Sequence, residues 1–100
     1  MEITKEQIEQ WKKEYGKIYK IAPIPDIDIY YRLVTRDDYI SILNAQASGE
    51  ITDPEIETIK LCILNDIDDD ILKQHGGIAT VIYEDLMKRS GFVLVESEEL

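Results

Sequence analysis

The chain has 100 residues, 44% of them hydrophobic, and a formal net charge of −10 at neutral pH. This length suits one domain and is too short for two independent cores, while the apolar content is enough for a globular fold. The negative charge opposes contact with phosphate backbones and anionic lipid, so direct nucleic-acid and membrane partners are disfavoured.

Apolar stretches with little charge, such as residues 40–47 and 78–83, are much shorter than the roughly 20 residues of a transmembrane helix. The first residues have neither the basic region nor the apolar region of a secretory signal peptide. Cys62 is the only cysteine, so an internal disulfide is not possible and a reducing compartment is permitted. We therefore expect the protein to act in a cytoplasm.

The first predicted element is an amphipathic helix over residues 5–15. Thr4-Lys5-Glu6-Gln7 has the form of a capping box, in which Thr4 and Gln7 satisfy backbone donors at a helix start. Ile8, Trp11 and Tyr15 then recur at spacings of three and four residues, as on one helix face. Gly16 follows directly and can close the helix.

Two β-strands are predicted next, over residues 17–21 and 27–34. Both stretches alternate with a period of two and are rich in β-branched and aromatic residues, which is typical of strands. Pro23 and Pro25 stand between them and lack the N–H that a ladder requires. Residues 22–26 are therefore predicted to form the tip of an antiparallel hairpin.

Capping signals mark three further helical segments: Thr35 before the first, the stretch Thr52-Asp53-Pro54-Glu55 before the second, and Asp68 before the third. The first should run to about residue 47, with Tyr39, Ile40 and Leu43 on one face. The second should end near residue 64, and the third should be a short piece through residue 73.

A last helix is predicted to begin at Ile78 and to close at Gly91. Its apolar face is expected to comprise Ile78, Val81, Ile82, Tyr83 and Leu86.

The predicted fold class is α+β, mainly helical, with a small antiparallel β-hairpin packed against about four helices. Residues 1–93 should form a single domain, and residues 94–100 should form an acidic C-terminal tail. An isolated hairpin is marginally stable in water. We therefore expect the first two helices to pack across it and to bury Trp11.

The sequence offers no recognisable catalytic or cofactor site. Cys62 and His75 could in principle form a nucleophile pair, but the acidic surroundings would raise the thiol pKa, and a core thiol with a loop imidazole is the preferred interpretation. The aspartates of residues 66–70 match the start of a calcium loop. However, Ile71 replaces the turn glycine and Gly77 stands where the bidentate glutamate is needed. No metal or cofactor is therefore expected.

Charged and aromatic residues at the junction of the hairpin and the second helix are the candidates for a partner contact. Arg32 and Arg36 lie there, and local ion pairs with neighbouring aspartates are one explanation for them. The other is an interface, because Arg and Tyr are enriched among interface anchors. The predicted partner-binding residues are Tyr30, Arg32, Arg36 and Tyr39.

Three blocks of the chain resemble a known family. They are Trp11-Lys12-x-x-Tyr15-Gly16-x-Ile18-Tyr19, Arg32-x-x-Thr35-Arg36-x-x-Tyr39 and Ser90-Gly91-Phe92. Together they are similar to the small acidic tail-assembly chaperones of tailed bacteriophages. The resemblance implies a non-enzymatic factor that binds the long tape-measure protein and keeps it soluble while the tail tube polymerises, in the cytoplasm of the host.

Two alternatives stay open beside this resemblance. A related phage virion structural or assembly component is one, and would place the protein in the virion. The other is an acidic inhibitor that imitates the phosphate array of DNA, since residues 51–100 have 12 acids and 4 bases, against 9 and 7 in residues 1–50. The partner in each case is a protein, and a homo-oligomer is also possible.

Overall fold

The computed structural model describes residues 3–100, which form five helices and one two-stranded antiparallel sheet. In chain order the elements are α1 (Lys5–Tyr15), β1 (Ile18–Ile24), β2 (Ile27–Arg32), α2 (Arg36–Ala47), α3 (Pro54–Cys62), α4 (Asp69–Gln74) and α5 (Ile78–Arg89). The predicted α+β class is confirmed, with five helices where about four were expected. Within residues 3–100, no helix is long and apolar enough to cross a membrane.

The hairpin contains a bulge that accommodates a proline inside β1. Ile21 lies opposite Ile29, whereas Ile24 lies opposite Ile27. β1 therefore uses one residue more than β2 over this stretch. Pro23 falls within the extra length, where the missing N–H costs no regular ladder bond.

The turn of the hairpin is tighter than predicted. β1 continues to Ile24 and β2 begins at Ile27, so the tip lies within the predicted residues 22–26 but is confined to the last two of them. The turn itself is Pro25-Asp26, and Asp26 has a φ of +69°. This left-handed conformation is one that aspartate tolerates better than most residues.

Helices cover both faces of the hairpin. On one face, α1 places the ring of Trp11 5.7 Å from the ring of Tyr30, and the predicted burial of Trp11 is confirmed. Because side chains alternate along a strand, Ile29 and Tyr31 point to the opposite face, where they are buried. α2 packs against α3, so the expectation that α2 crosses the hairpin is wrong. α3 and α5 supply the second layer.

The core consists of two clusters on the inner face of the hairpin. One contains Ile29, Ile59, Leu72, Ile78, Ala79 and Ile82, and the other contains Tyr31, Val34, Cys62 and Leu86. Full burial of a large apolar side chain stabilises a fold by about 1.5–3 kcal/mol. The Tyr31 hydroxyl donates a hydrogen bond to the carboxylate of Asp85, so the polar end of this buried ring is satisfied.

Val81 is not part of the core, although the sequence placed it on the apolar face of the last helix. Its exposure is 51%, whereas Ala79 is buried. The buried face of α5 centres on Ile82 and Leu86, and Val81 lies roughly 100° away around the helix. The prediction for Val81 is therefore wrong.

The outer edge of β2 is covered by the segment that follows α3. The Tyr30 amide donates to Asn65 Oδ1 over 2.9 Å, and the Tyr30 carbonyl accepts from the Leu64 amide over 2.9 Å. Ile63 forms a bridge with Tyr31. This pairing draws Ile63 and Leu64 out of the helix, so α3 ends at Cys62, two residues before the predicted end near residue 64.

The end of α5 is a Schellman motif. Gly91 has a φ of +94°, its amide donates to the Lys88 carbonyl over 3.2 Å, and the Phe92 amide donates to the Met87 carbonyl over 2.9 Å. Residues 92–100 are exposed and form neither helix nor strand. The sequence prediction that Gly91 closes the last helix is confirmed.

Candidate protein-binding surface

The four predicted partner-binding residues separate into two groups. Tyr30 and Arg32 are half-buried on the hairpin face that α1 covers, whereas Arg36 and Tyr39 lie on the first turns of α2. Tyr30 packs against Trp11. The two groups are linked through Asp38 of α2, to which Arg32 is hydrogen-bonded.

Arg32 joins four parts of the fold. Its Nη1 donates to Asp38 Oδ2 over 2.6 Å and its Nη2 donates to the Leu61 carbonyl over 3.1 Å. Its guanidinium also lies 5.9 Å from the ring centre of Tyr15, within the range of a cation–π interaction. The local ion pair that the sequence offered as one explanation is therefore present.

The electrostatics of this pair favour the charged state of both partners. Burial raises the pKa of Asp38, but hydrogen bonds from Arg32 and Thr35 outweigh it, and the pKa falls below its usual value. Burial alone would lower the pKa of Arg32, but the hydrogen bond to Asp38 outweighs it, so the pKa of Arg32 is raised above its usual value. The side chains of Arg32 and Asp38 are only 15% and 17% exposed. Most of the Arg32 guanidinium is thus committed to the fold.

α2 begins at a complete capping box. The Thr35 hydroxyl accepts from the Asp38 amide over 3.1 Å, and the Asp38 carboxylate accepts from the Thr35 amide over 3.0 Å. This cap fixes where the helix starts, and hence which residues face outward.

The outward face of α2 is apolar. Arg36, Tyr39, Ile40 and Leu43 are spaced at three and four residues and share one face. Ile40 is 38% exposed and Leu43 is 41% exposed. Asp38, Ile42 and Ala45 are half-buried on the other side. No residue of this described helix is buried. Of the apolar stripe predicted from the sequence, the half-buried Tyr39 packs against the second core cluster, whereas Ile40 and Leu43 are exposed.

Phe92 extends this stripe. Its ring centre lies 4.8 Å from that of Tyr39, and the rings are tilted by 43°, a favourable aromatic arrangement. The Arg36 guanidinium lies 5.5 Å from the Tyr39 ring centre on α2. We call Arg36, Tyr39, Ile40, Leu43 and Phe92 the α2 surface.

The sequence analysis identified two of these five residues as partner-binding and missed Ile40, Leu43 and Phe92. The spacing of Ile40 and Leu43 shows that they share a face with Tyr39, but does not show whether that face is covered. The Ser90-Gly91-Phe92 ending was the available signal for Phe92, because a residue after a Schellman glycine often packs back on its surroundings.

Cys62 and His75 occupy different environments. Cys62 is fully buried in the second core cluster, and burial raises the pKa of its thiol to about 11. It is therefore protonated at neutral pH. His75 is exposed and caps the C-terminus of α4.

Aspartates line a cavity of about 570 Å³ beside the hairpin. Asp26 and Asp28 come from the hairpin, and Asp66 and Asp68 from the connection to α4. Apolar and aromatic side chains such as Tyr30 line it too. Among residues 3–100, no three His, Cys, Asp or Glu side chains converge in a way that could hold a metal ion. Asp68 instead caps α4, accepting from the Asp70 amide over 2.9 Å.

Comparisons of the chain with protein-family models, with curated proteins and with solved structures find no match. The candidate site therefore rests on the geometry of the α2 surface and on the sequence blocks described above.

Proposed function

We propose that this protein is a non-enzymatic protein-binding factor that holds an amphipathic helix of a client protein on the α2 surface. The observation that carries the proposal is the exposed pair Ile40 and Leu43 beside the half-buried Tyr39, on a helix that contains no buried residue. An apolar helix face without a cover is a common docking site for the apolar face of another helix.

The composition of the α2 surface supports this role. Tyr39 and Phe92 supply two aromatic side chains in contact with each other, and aromatic residues carry much of the binding energy in protein interfaces. Arg36 is exposed at one end of the stripe, where it can pair with a carboxylate of the client. Arg36 and Tyr39 are thus the predicted partner-binding residues that fit this role best.

The net charge of −10 supports a chaperone over a simple adaptor. A strongly charged protein bound to an apolar segment covers that segment and adds repulsion between complexes, which opposes aggregation. This agrees with the resemblance to tail-assembly chaperones, whose client is the tape-measure protein. The proposed site of action is the host cytoplasm. A virion or assembly component would use the same surface for a permanent contact.

The test is co-expression with a tape-measure protein of a tailed bacteriophage. The expected result is a larger soluble fraction of the tape-measure protein with the wild-type chain than without it. Leu43→Asp should remove most of this effect, because it places a charge at the most exposed apolar side chain of the stripe. Val81→Asp, on an equally apolar and exposed position of α5, is the matched control and should keep it.

The proposal fails if Leu43→Asp and Val81→Asp protect the client equally well. Circular dichroism and thermal melting of both variants separate loss of binding from loss of folding. Both positions are exposed, so changes in stability of no more than about 0.5 kcal/mol are expected.

The acidic-inhibitor alternative is favoured by a different observation, the four aspartates around the cavity beside the hairpin. In this role the protein would compete with DNA for a basic protein surface. Replacing Asp66 and Asp68 with asparagine would then abolish partner binding, whereas Leu43→Asp would leave it unchanged. Under the chaperone proposal, Leu43→Asp should abolish client binding. The aspartate changes should then alter mainly the association rate and its salt dependence.

A further inference from the structure

The outer edge of β1 has free backbone groups. Because the amide and carbonyl of Tyr30 point away from β1, Lys20, which lies opposite Tyr30, belongs to a non-hydrogen-bonded pair. Its own amide and carbonyl must therefore point outward, and so must those of Ile18 two residues earlier. Within residues 3–100, no backbone or side-chain group is hydrogen-bonded to them.

The chain also carries a strand-forming segment that pairs with nothing in the described structure. Residues 92–95 read Phe-Val-Leu-Val, and we call them the FVLV segment. Phenylalanine and valine favour extended conformations. Leu94 and Val95 are almost fully exposed, which is costly for such side chains.

The base of the FVLV segment is held beside the end of β2, whereas the end of α5 before it also lies over β1, with the Arg89 guanidinium 5.1 Å from the Tyr19 ring centre. The Val34 amide, just beyond β2, donates to Ser90 Oγ over 2.9 Å, and Phe92 is held against Tyr39 of α2. Reaching the outer edge of β1 of the same chain means crossing the width of two strands, roughly 10 Å. That crossing would use about three residues, which are the residues needed for pairing.

The charges next to the two features are complementary. Lys17 and Lys20 are exposed at the start of β1, and Lys12 lines the groove between α1 and β1. The FVLV segment is followed by Glu96, Glu98 and Glu99. Attraction between these opposite charges favours pairing of the FVLV segment with the outer edge of β1, in addition to apolar contact.

The charges also select the direction of pairing. If the segment runs antiparallel to β1, its acidic end lies beside Lys17 and near the lysines of the last turn of α1, Lys12 and Lys13. If it runs parallel, the same glutamates approach the hairpin turn, where Asp26 and Asp28 are exposed. The bulge at Pro23 restricts regular pairing to the first half of β1, which is the half that carries the lysines.

We propose that the FVLV segment of one copy adds as an antiparallel strand to the outer edge of β1 of a second copy, and that the exchange is reciprocal in a two-fold symmetric dimer. Each pairing converts the hairpin into a three-stranded sheet and removes a free edge. It also covers Val93, Leu94 and Val95, at least in part. A two-fold exchange closes on itself and stops at two copies. This inference does not require a client, although Phe92 belongs to both the FVLV segment and the α2 surface.

Sedimentation of the full chain over a wide range of concentrations tests the proposal, and the wild type should approach the mass of a dimer. Lys20→Pro removes an amide hydrogen that points away from β2, so the hairpin ladder keeps its bonds. It should raise the dissociation constant at least about tenfold. Lys20→Ala, which keeps the amide, is its matched control and should have a smaller effect.

Leu94→Asp should also give a monomer, whereas Val81→Asp should remain a dimer. Exchanging the two charges tests the electrostatic part of the contact, because burial of apolar side chains alone would not make the dissociation constant depend on it. Lys17→Glu and Glu96→Lys should each weaken the dimer, and the chain carrying both changes should recover it.

A mixture of two defective chains distinguishes exchange from pairing within one chain. Leu94→Asp retains a competent β1 edge, and Lys20→Pro retains a competent segment, so mixing them restores one of the two contacts. The expected result is a heterodimer that neither variant forms with itself. A wild type that stays monomeric, a Lys20→Pro dimer as tight as the wild type, or no heterodimer in the mixture would each overturn the proposal.

Discussion

Replacing Arg32 with methionine should destabilise the fold, because its guanidinium connects β2 to α2 and α3. The change keeps the length of the apolar stem and removes every hydrogen bond of the head group. Asp38 would lose its 2.6 Å partner and the Leu61 carbonyl its 3.1 Å donor. Asp38 would retain the Thr35 amide, which limits the loss.

The magnitude follows from the burial of the pair. Breaking a fully buried ion pair costs about 3–5 kcal/mol, and an exposed one about 0–1 kcal/mol. With side-chain exposures of 15% and 17%, this pair lies nearer the buried limit. We therefore expect a loss of about 2–4 kcal/mol, equivalent to roughly 10–20 °C in Tm for a domain of this size.

Urea denaturation monitored by circular dichroism measures this loss. Arg32→Lys should lose less, about 1–2 kcal/mol, because an ammonium can reach Asp38 but lacks the planar fork that also serves the Leu61 carbonyl. A cycle of Arg32→Met and Asp38→Asn should give a coupling energy of at least about 1 kcal/mol. If Arg32→Met leaves the free energy of unfolding unchanged, Arg32 is not a structural link. It would then again be a candidate for partner binding.

Two further predictions concern stability. Trp11→Ala should cost about 3–5 kcal/mol in urea denaturation, because a buried indole that packs on Tyr30 leaves a large cavity; an unchanged transition would reject the placement of α1. The pKa of Asp38 is lower in the folded state than its ordinary value of 3.8, so its stabilisation is present above that value and is lost as the pH falls through the lower, folded pKa. Asp38→Asn should be less stable than the wild type at neutral pH, and the difference should shrink below about pH 4; a constant difference down to pH 2 would contradict this.

Local signals in the sequence predicted most of the elements. The capping box at Thr4 and the apolar spacing of Trp11 and Tyr15 located α1 to the residue. Gly91 correctly marked the end of α5, because only a residue that tolerates a positive φ fits the Schellman position. These signals depend on neighbours within one turn of helix, so no tertiary information was needed.

Errors arose where a distant partner decides the structure. Ile63 continues the helical spacing of α3, yet it leaves the helix because Tyr31 of β2 offers a bridge. The first two helices were expected to pack across the hairpin together, whereas α3 and α5 form the layer on the face opposite α1. The spacing of residues identifies the apolar face of a helix. Which of several such helices packs against the hairpin depends on how all of them pack together.

The candidate site could likewise be predicted only where local sequence signals were sufficient. Arg36 and Tyr39 were chosen because they cluster in sequence with Tyr30 and Arg32. Clustering in sequence does not separate an arginine that is folded onto Asp38 from one that is exposed. For that reason, a double change of Arg32 and Arg36 is a poor test of partner binding, since Arg32→Ala alone should weaken the fold. Ile40 and Leu43 allow a test on the surface alone.

The α2 surface and the FVLV segment meet at one residue, Phe92. Its ring packs on Tyr39 and its amide is bonded to Met87, so the base of the segment is fixed while Leu94 is exposed. A client helix seated over Tyr39 and Phe92 would order the base of the segment further and so reduce the entropy lost when the segment pairs with β1 of a second copy. Because such coupling is reciprocal, formation of the dimer would favour client binding to the same extent. The two proposals therefore describe separate contacts that reinforce each other through a single aromatic side chain.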